Sequence, residues 1–124
     1  METNPVTWFE IYVQDMERAQ RFYESVLDIE MDSLNVGLPM MAFPGSSGAE
    51  RPGSSGALVK SNDVPSGGNS TLVYFECEDC AVETGRVVLS GGTVHREKIS
   101  IGEFGFCSLV FDTEGNMFGL HSMK

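Results

Sequence analysis

Two stretches of this chain echo each other. Residues 8–16 read Trp-Phe-Glu-Ile-Tyr-Val-Gln-Asp-Met, and residues 72–80 read Leu-Val-Tyr-Phe-Glu-Cys-Glu-Asp-Cys. Each is a strand-like run of aromatic and apolar residues that ends in an aspartate opening a helical stretch. Asp15 and Asp79 stand 64 residues apart in a chain of 124. A repeat at half the chain length predicts two copies of one supersecondary unit.

The aspartates have a physical role at those positions. A carboxylate at the N-cap accepts a hydrogen bond from a free amide of the first helical turn and suits the positive end of the helix dipole. After Asp15, Met16, Ala19, Phe22, Tyr23, Val26 and Leu27 fall on one helical stripe. After Asp79 the stripe is narrower. Cys80, Val87 and Val88 can share a face, Glu83, Thr84 and Arg86 interrupt it, and Gly91-Gly92 is expected to end the helix.

Strand-like pieces follow each helix, at about 29–34, 38–43 and 56–60, then 93–99, 105–111 and 117–122. The order in each half is strand, helix, strand, strand, strand. The sextet Pro-Gly-Ser-Ser-Gly-Ala occurs at 44–49 and again at 52–57, and reads as a solvated hairpin connection. A phosphate-cradling loop fits worse, because no Lys-Ser or Lys-Thr pair and no helix start follow it. Asp112-Thr-Glu-Gly-Asn116 reads as a tight turn before the last strand, and Pro65-Ser-Gly-Gly-Asn69 as the link between halves. The modules then span about 5–64 and 69–124 of a single domain covering 1–124.

Composition narrows the partners. Apolar residues are 41% of the chain, enough to form a core. A net charge of −10 argues against sequence-independent binding to nucleic acid or to an anionic membrane, since both need a basic face. No apolar run approaches the roughly 18 residues of a membrane span, and Met1–Pro5 lacks the basic and apolar regions of a signal peptide. Cys77, Cys80 and Cys107 suggest no disulfide framework. A cytoplasmic protein is expected.

Val13-Gln-Asp-Met-Glu-Arg-Ala19, followed by Phe22-Tyr23 and Val26-Leu27, resembles the opening of vicinal-oxygen-chelate proteins, the superfamily of glyoxalase I, bleomycin-resistance proteins and extradiol dioxygenases. Phe111-Asp-Thr-Glu-Gly-Asn116 before a strand is similar to their last hairpin. The resemblance covers essentially the whole chain and departs from the pattern at Asp28, where the family usually has glycine. It implies an α+β fold of two βαβββ modules forming a curved mixed sheet around a central cavity, and a homodimer, as is common at this length. It does not imply one activity, because the superfamily holds lyases, isomerases, dioxygenases and non-catalytic drug binders.

The resemblance also implies where a metal would sit. The ligand on each module's first strand lies seven residues before the helix-opening aspartate, which gives Trp8 and Leu72. The carboxylate on the last strand lies three residues after the asparagine of the turn, which gives Gly119. Its counterpart in the first module falls near Leu58, within one residue and so including Ala57. None of these side chains binds a divalent ion, so neither the usual metal nor another cofactor is expected.

Strand alternation then predicts which residues face the cavity. Trp8, Glu10 and Tyr12 share one face, with Phe9, Ile11 and Val13 behind them. Leu72, Tyr74 and Glu76 share another, with Val73, Phe75 and Cys77 behind. Met117, Gly119 and His121 share a third, with Phe118 and Leu120 toward the core. The candidate ligand-binding residues are therefore Trp8, Glu10, Tyr12, Leu72, Tyr74, Glu76, Gly119 and His121. Glu10, Glu76 and His121 are the candidates for acid–base chemistry, with the carboxylates needing burial to raise their pKa; the bland alternative is solvated rim glutamates and ordinary packing. Cys77-Glu-Asp-Cys80 has C-x-x-C spacing without a second ligand pair and reads as structural. Three functions stay open: a metal-independent small-molecule binder, an enzyme using non-standard metal ligands or acid–base carboxylates, and a structural or regulatory dimer with a filled cavity.

Overall fold

The computed structural model describes residues 4–35, 37–45 and 53–124. In chain order the elements are β1 (Trp8–Val13), α1 (Met16–Leu27), β2 (Asp32–Asn35), β3 (Pro39–Ala42), β4 (Ser55–Lys60), β5 (Tyr74–Glu76), α2 (Cys80–Val87), β6 (Thr93–Ser100), a 3-10 turn (Gly102–Phe104), β7 (Phe106–Phe111) and β8 (Met117–Ser122). They form two four-stranded mixed sheets, β1-β4-β3-β2 and β5-β8-β7-β6. In each, the first and last strands of a module pair in parallel and the rest are antiparallel. A parallel pair needs a crossover, which β2 and β3 with α1, or β6 and β7 with α2, supply. This is the two-module βαβββ arrangement that the sequence implies.

Both helices begin as expected. Asp15 caps α1 by accepting from the Arg18 amide at 3.1 Å, and Asp79 caps α2 by accepting from the Ala81 amide at 3.0 Å. Helix α1 ends at Asp28, which takes a left-handed conformation (φ 55°, ψ 56°) and donates its amide to the Glu24 carbonyl. It is the one non-glycine residue with positive φ among those described, at the position where the family usually has glycine. Helix α2 stops at Val87, short of the Gly91-Gly92 stop, and the chain reaches those glycines through turns. The second module's first strand is also shorter than expected: Leu72 and Val73 precede β5 instead of belonging to it. The loop of repeated Pro-Gly-Ser-Ser-Gly-Ala lies partly outside the described residues, and its second copy runs into β4.

One core serves both modules. Ile11, Val13, Phe22, Tyr23, Leu58, Phe118 and Leu120 are buried in a single cluster. Each such side chain contributes roughly 1.5–3 kcal/mol when taken from water. Within it, rings from both sheets and α1 meet edge-on or tilted: Phe9 with Phe75 at 6.1 Å, Tyr23 with Phe43 at 5.7 Å, Phe75 with Phe118 at 5.5 Å. The Asp112–Asn116 turn fastens the modules together. Tyr23 donates to Asp112 at 2.6 Å inside the core, and Asn116 donates its amide to the Tyr12 carbonyl at 3.0 Å. The link between halves is tied down as well. Ser66 donates to the Tyr12 carbonyl at 2.6 Å, the Gly67 amide donates to Asn116 at 2.6 Å, and Asn69 bonds both backbone groups of Met117.

Candidate functional site

Each sheet has a helix face and an open face, and β1 shows how the sequence separates them. Ile11 and Val13 are buried toward the helices, whereas Trp8 and Glu10 are exposed and Tyr12 is half-buried. The open face of the first sheet is built from cross-strand rows. Tyr12 lies opposite Val59, Val59 opposite Met40, and Met40 opposite Leu34. Val59, Met40 and Ala57 are buried under Tyr12 and Leu34 as a small second cluster. In the next row Glu10 lies opposite Ala57.

Above that floor three of the sequence-predicted residues come together. The indole Nε1 of Trp8 donates to one oxygen of Glu10 at 3.1 Å, and the Tyr12 hydroxyl donates to the other at 2.6 Å. The bond to Glu10, then partial burial, raises the Tyr12 phenol above its ordinary pKa. Among the described residues no basic side chain pairs with Glu10.

A second group stands on the other sheet. His121 lies opposite Glu76 across the parallel pair β5–β8. Its Nδ1 is 2.6 Å from a Glu76 oxygen and its Nε2 is 2.6 Å from the Phe104 carbonyl. Both partners are acceptors. A neutral imidazole carries one N–H, so the protonated ring is the form that satisfies both. The Phe104 carbonyl first, and the Glu76 carboxylate second, raise the His121 pKa. A ring held as a double donor has no lone pair to offer as a base. Glu10 and Glu76 are both exposed, so the burial that a general-base role needs is absent for each.

Tyr74 lies opposite Gly119. A β-carbon on Gly119 would fall 2.3 Å from the Tyr74 ring, so the glycine is what lets the ring, itself half exposed, lie across the strand. Leu72 is half-buried just before β5 and has no part in either polar group. The cysteines are sequestered. Cys80 starts α2 fully buried, and burial, then Glu83, push the Cys77 thiol up to about 12, which leaves almost no thiolate at neutral pH. His95 is exposed on β6 beside the Phe111 ring.

Register relates the two modules at the fourth position that the resemblance implies. Glu10 and Tyr74 each stand five residues before their helix-opening aspartate. Glu10 pairs with Ala57 as Tyr74 pairs with Gly119. The counterpart of Gly119 is therefore Ala57, and Leu58 points into the core. Indole, methyl, isobutyl and hydrogen stand at the four positions, and among the described residues no three His, Cys, Asp or Glu side chains are grouped to hold an ion. The residues present do not fit the superfamily's divalent metal.

Two concavities lie beside these groups. A cleft of about 240 Å³ between β1 and the segment before β5 is lined by Phe9, Glu10, Ile11, Val73 and Phe118 among others. A wider groove of about 490 Å³ follows the β2–β3 hairpin, lined by Met16, Leu34, Leu38, Met40 and Met41. Among the described residues that line it are none of the candidate site residues and no charged side chain, so the groove offers less chemistry despite its size. Sequence reasoning missed the Phe104 carbonyl, since a backbone acceptor leaves no residue-type signal. It also missed the Ala57–Val59–Met40 floor, which depends on the β1–β4 register.

Residues 6–33 match the family model of bleomycin resistance protein-like N-terminal regions. No curated protein matches the chain by sequence. Solved structures share its shape at low identity. A glyoxalase-related enzyme from Fulvimarina pelagi superposes with a TM-score of 0.73 at 17% identity, over 97% of this chain and 88% of that one. A member of the glyoxalase/bleomycin resistance protein/dioxygenase superfamily from Sphaerobacter thermophilus gives 0.68 at 19%, over 97% and 98%. TnmS3, an antibiotic binding protein from Streptomyces sp. CB03234, gives 0.67 at 20%, over 98% of both chains.

Proposed function

We propose that this chain, whose fold is the vicinal-oxygen-chelate fold of the glyoxalase/bleomycin-resistance superfamily, is a small-molecule binder that works without the superfamily's usual metal. One observation carries the proposal. The four ligand positions are held by Trp8, Ala57, Leu72 and Gly119, while the surrounding open faces keep aromatic and polar groups accessible: Trp8, Glu10 and Tyr12 on one sheet, Tyr74, Glu76 and His121 on the other. Aromatic walls with a few fixed polar anchors are the usual make-up of a ligand site. The likeness to an antibiotic binding protein agrees with sequestration.

An enzyme acting through Glu10, Glu76 and His121 fits less well. The two carboxylates are exposed, and His121 is committed on both nitrogens. Within the single chain Trp8 and Tyr74 keep 38% and 50% of their surfaces accessible, which favours a reachable pocket over one filled by the chain's own side chains. We take the working form to be a cytoplasmic homodimer, in keeping with large apolar side chains left exposed at Leu89, Phe104 and Met123. A thermal-shift screen of planar and amphipathic compounds, run in a chelator, tests the binding role. Stabilisation by a subset of compounds without turnover is the expected result. The absence of any hit from a broad set contradicts the proposal, as does turnover restored by an added metal.

A further inference from the structure

We propose that the Trp8–Glu10–Tyr12 group selects planar organic cations, such as protonated aromatic amines or quaternary nitrogen heteroaromatics; this rests on the small-molecule binding role above. Three features carry it. First, both Glu10 oxygens are fixed by hydrogen bonds from neutral donors, the Trp8 indole at 3.1 Å and the Tyr12 hydroxyl at 2.6 Å. Those bonds orient the carboxylate and leave its charge intact. Second, among the described residues no lysine or arginine neutralises it, although Arg18, Lys98 and Lys124 each find a carboxylate elsewhere.

Third, the two donors are themselves aromatic. Their edges point at Glu10, which leaves their electron-rich faces for a cation lying beside the carboxylate, where ion pairing and cation–π attraction add. Trp8 is 38% exposed and Tyr12 half-buried, so a ligand can reach the rings. Ala57, Val59 and Met40 are buried beneath Tyr12 and Leu34, a packed apolar base that supports the Tyr12 ring. A net charge of −10 adds a field that draws cations to the chain and repels anions.

Trp8 is the single tryptophan of the protein, so its emission reports on this site alone. The full chain is titrated at pH 8 and low salt with N-methylquinolinium, with neutral quinoline, and with anionic quinoline-4-carboxylate. Saturable quenching is expected for the cation, with affinity about tenfold above that of quinoline and weakened by added salt. In Glu10→Gln, which keeps the shape and removes the charge, the preference for the cation should vanish while the circular dichroism spectrum stays unchanged. Equal or tighter binding of quinoline or of the carboxylate overturns the inference and leaves the binding role standing; so does a cation preference that survives Glu10→Gln. The inference also falls alone if none of the three saturates while the thermal-shift screen yields other ligands. If neither experiment shows any binding, both fall.

Discussion

Arg18 and Glu114 lie 96 residues apart in the chain and meet through two hydrogen bonds, Nε to Oε2 at 2.7 Å and Nη2 to Oε1 at 3.0 Å. The Glu114 side chain is fully buried and Arg18 half exposed. The same carboxylate accepts the backbone amides of Gln14 and Asp15, each at 2.9 Å, just ahead of α1. The turn of the second module thus closes over the helix start of the first, and the two sequence motifs that identify the fold are in physical contact.

Removing Glu114 leaves two amides unpaired and a guanidinium without its partner. Glu114→Ala is expected to cost about 3 kcal/mol in urea unfolding. Arg18→Ala, at a half-exposed position, is expected to cost distinctly less. Equal, small losses would show that the turn does not hold the modules together.

The same contact sets an acid limit. Burial favours protonation of Glu114, but the Arg18 guanidinium, the Asp15 and Gln14 amides and the Thr113 hydroxyl outweigh it and bring the carboxyl down to about 2. A carboxyl whose folded pKa lies below its unfolded value of roughly 4.3 stabilises fully above that value. That stability drains as pH falls from about 5 toward 2. Glu114→Gln should flatten the acid limb of a stability–pH curve, and an unchanged limb contradicts the assignment.

His121 titrates in the opposite sense. Its folded pKa is raised by the Phe104 carbonyl and the Glu76 carboxylate. The stability it contributes is complete below the unfolded value of about 6.5 and is lost as pH rises through the folded pKa. NMR titration should place the His121 imidazole above the unfolded value of about 6.5. Glu76→Gln should bring His121 down. A His121 titration at or below about 6.5 would contradict the double-donor geometry.

Two glycines are expected to differ. A β-carbon at Gly56 would strike the Phe9 ring at 2.3 Å, and one at Gly119 would strike Tyr74 at the same distance. Phe9 is packed between Phe43 and Phe75 in the core, whereas Tyr74 is half exposed and free to swing out. Gly56→Ala should cost about 2–3 kcal/mol and Gly119→Ala about 1 kcal/mol or less. The Gly119→Ala penalty should disappear in a Tyr74→Ala background, measured as a double-mutant cycle.

At the end of α1, Asp28 holds a left-handed conformation that glycine adopts without cost. Asp28→Gly should raise stability by about 0.5–1 kcal/mol with no change at the open face. A loss of stability would mean that the aspartate side chain contributes more than its backbone costs.

Much of this was legible in the sequence because it depends on short-range pattern. The repeat around Asp15 and Asp79 fixed the module count, and strict alternation along β1 placed Trp8, Glu10 and Tyr12 on one face. What failed depends on register and on groups without side-chain signals. Leu72 lies outside β5 because its strand is three residues long. The Ala57–Gly119 correspondence needed the β1–β4 and β5–β8 ladders. Glu114 read as a turn residue, and nothing local reveals that its carboxylate reaches the start of α1 and Arg18, 96 residues away. The upward shift of the His121 pKa depends first on the carbonyl of Phe104, a peptide group that every residue carries.

The most direct test of metal-free binding titrates a compound from the thermal-shift screen against Trp8 emission, once in EDTA and once after loading with zinc, nickel, iron(II) or manganese. Metal-free binding predicts a saturable change with the same Kd in both conditions. Binding that appears only in the metal-loaded protein would contradict it.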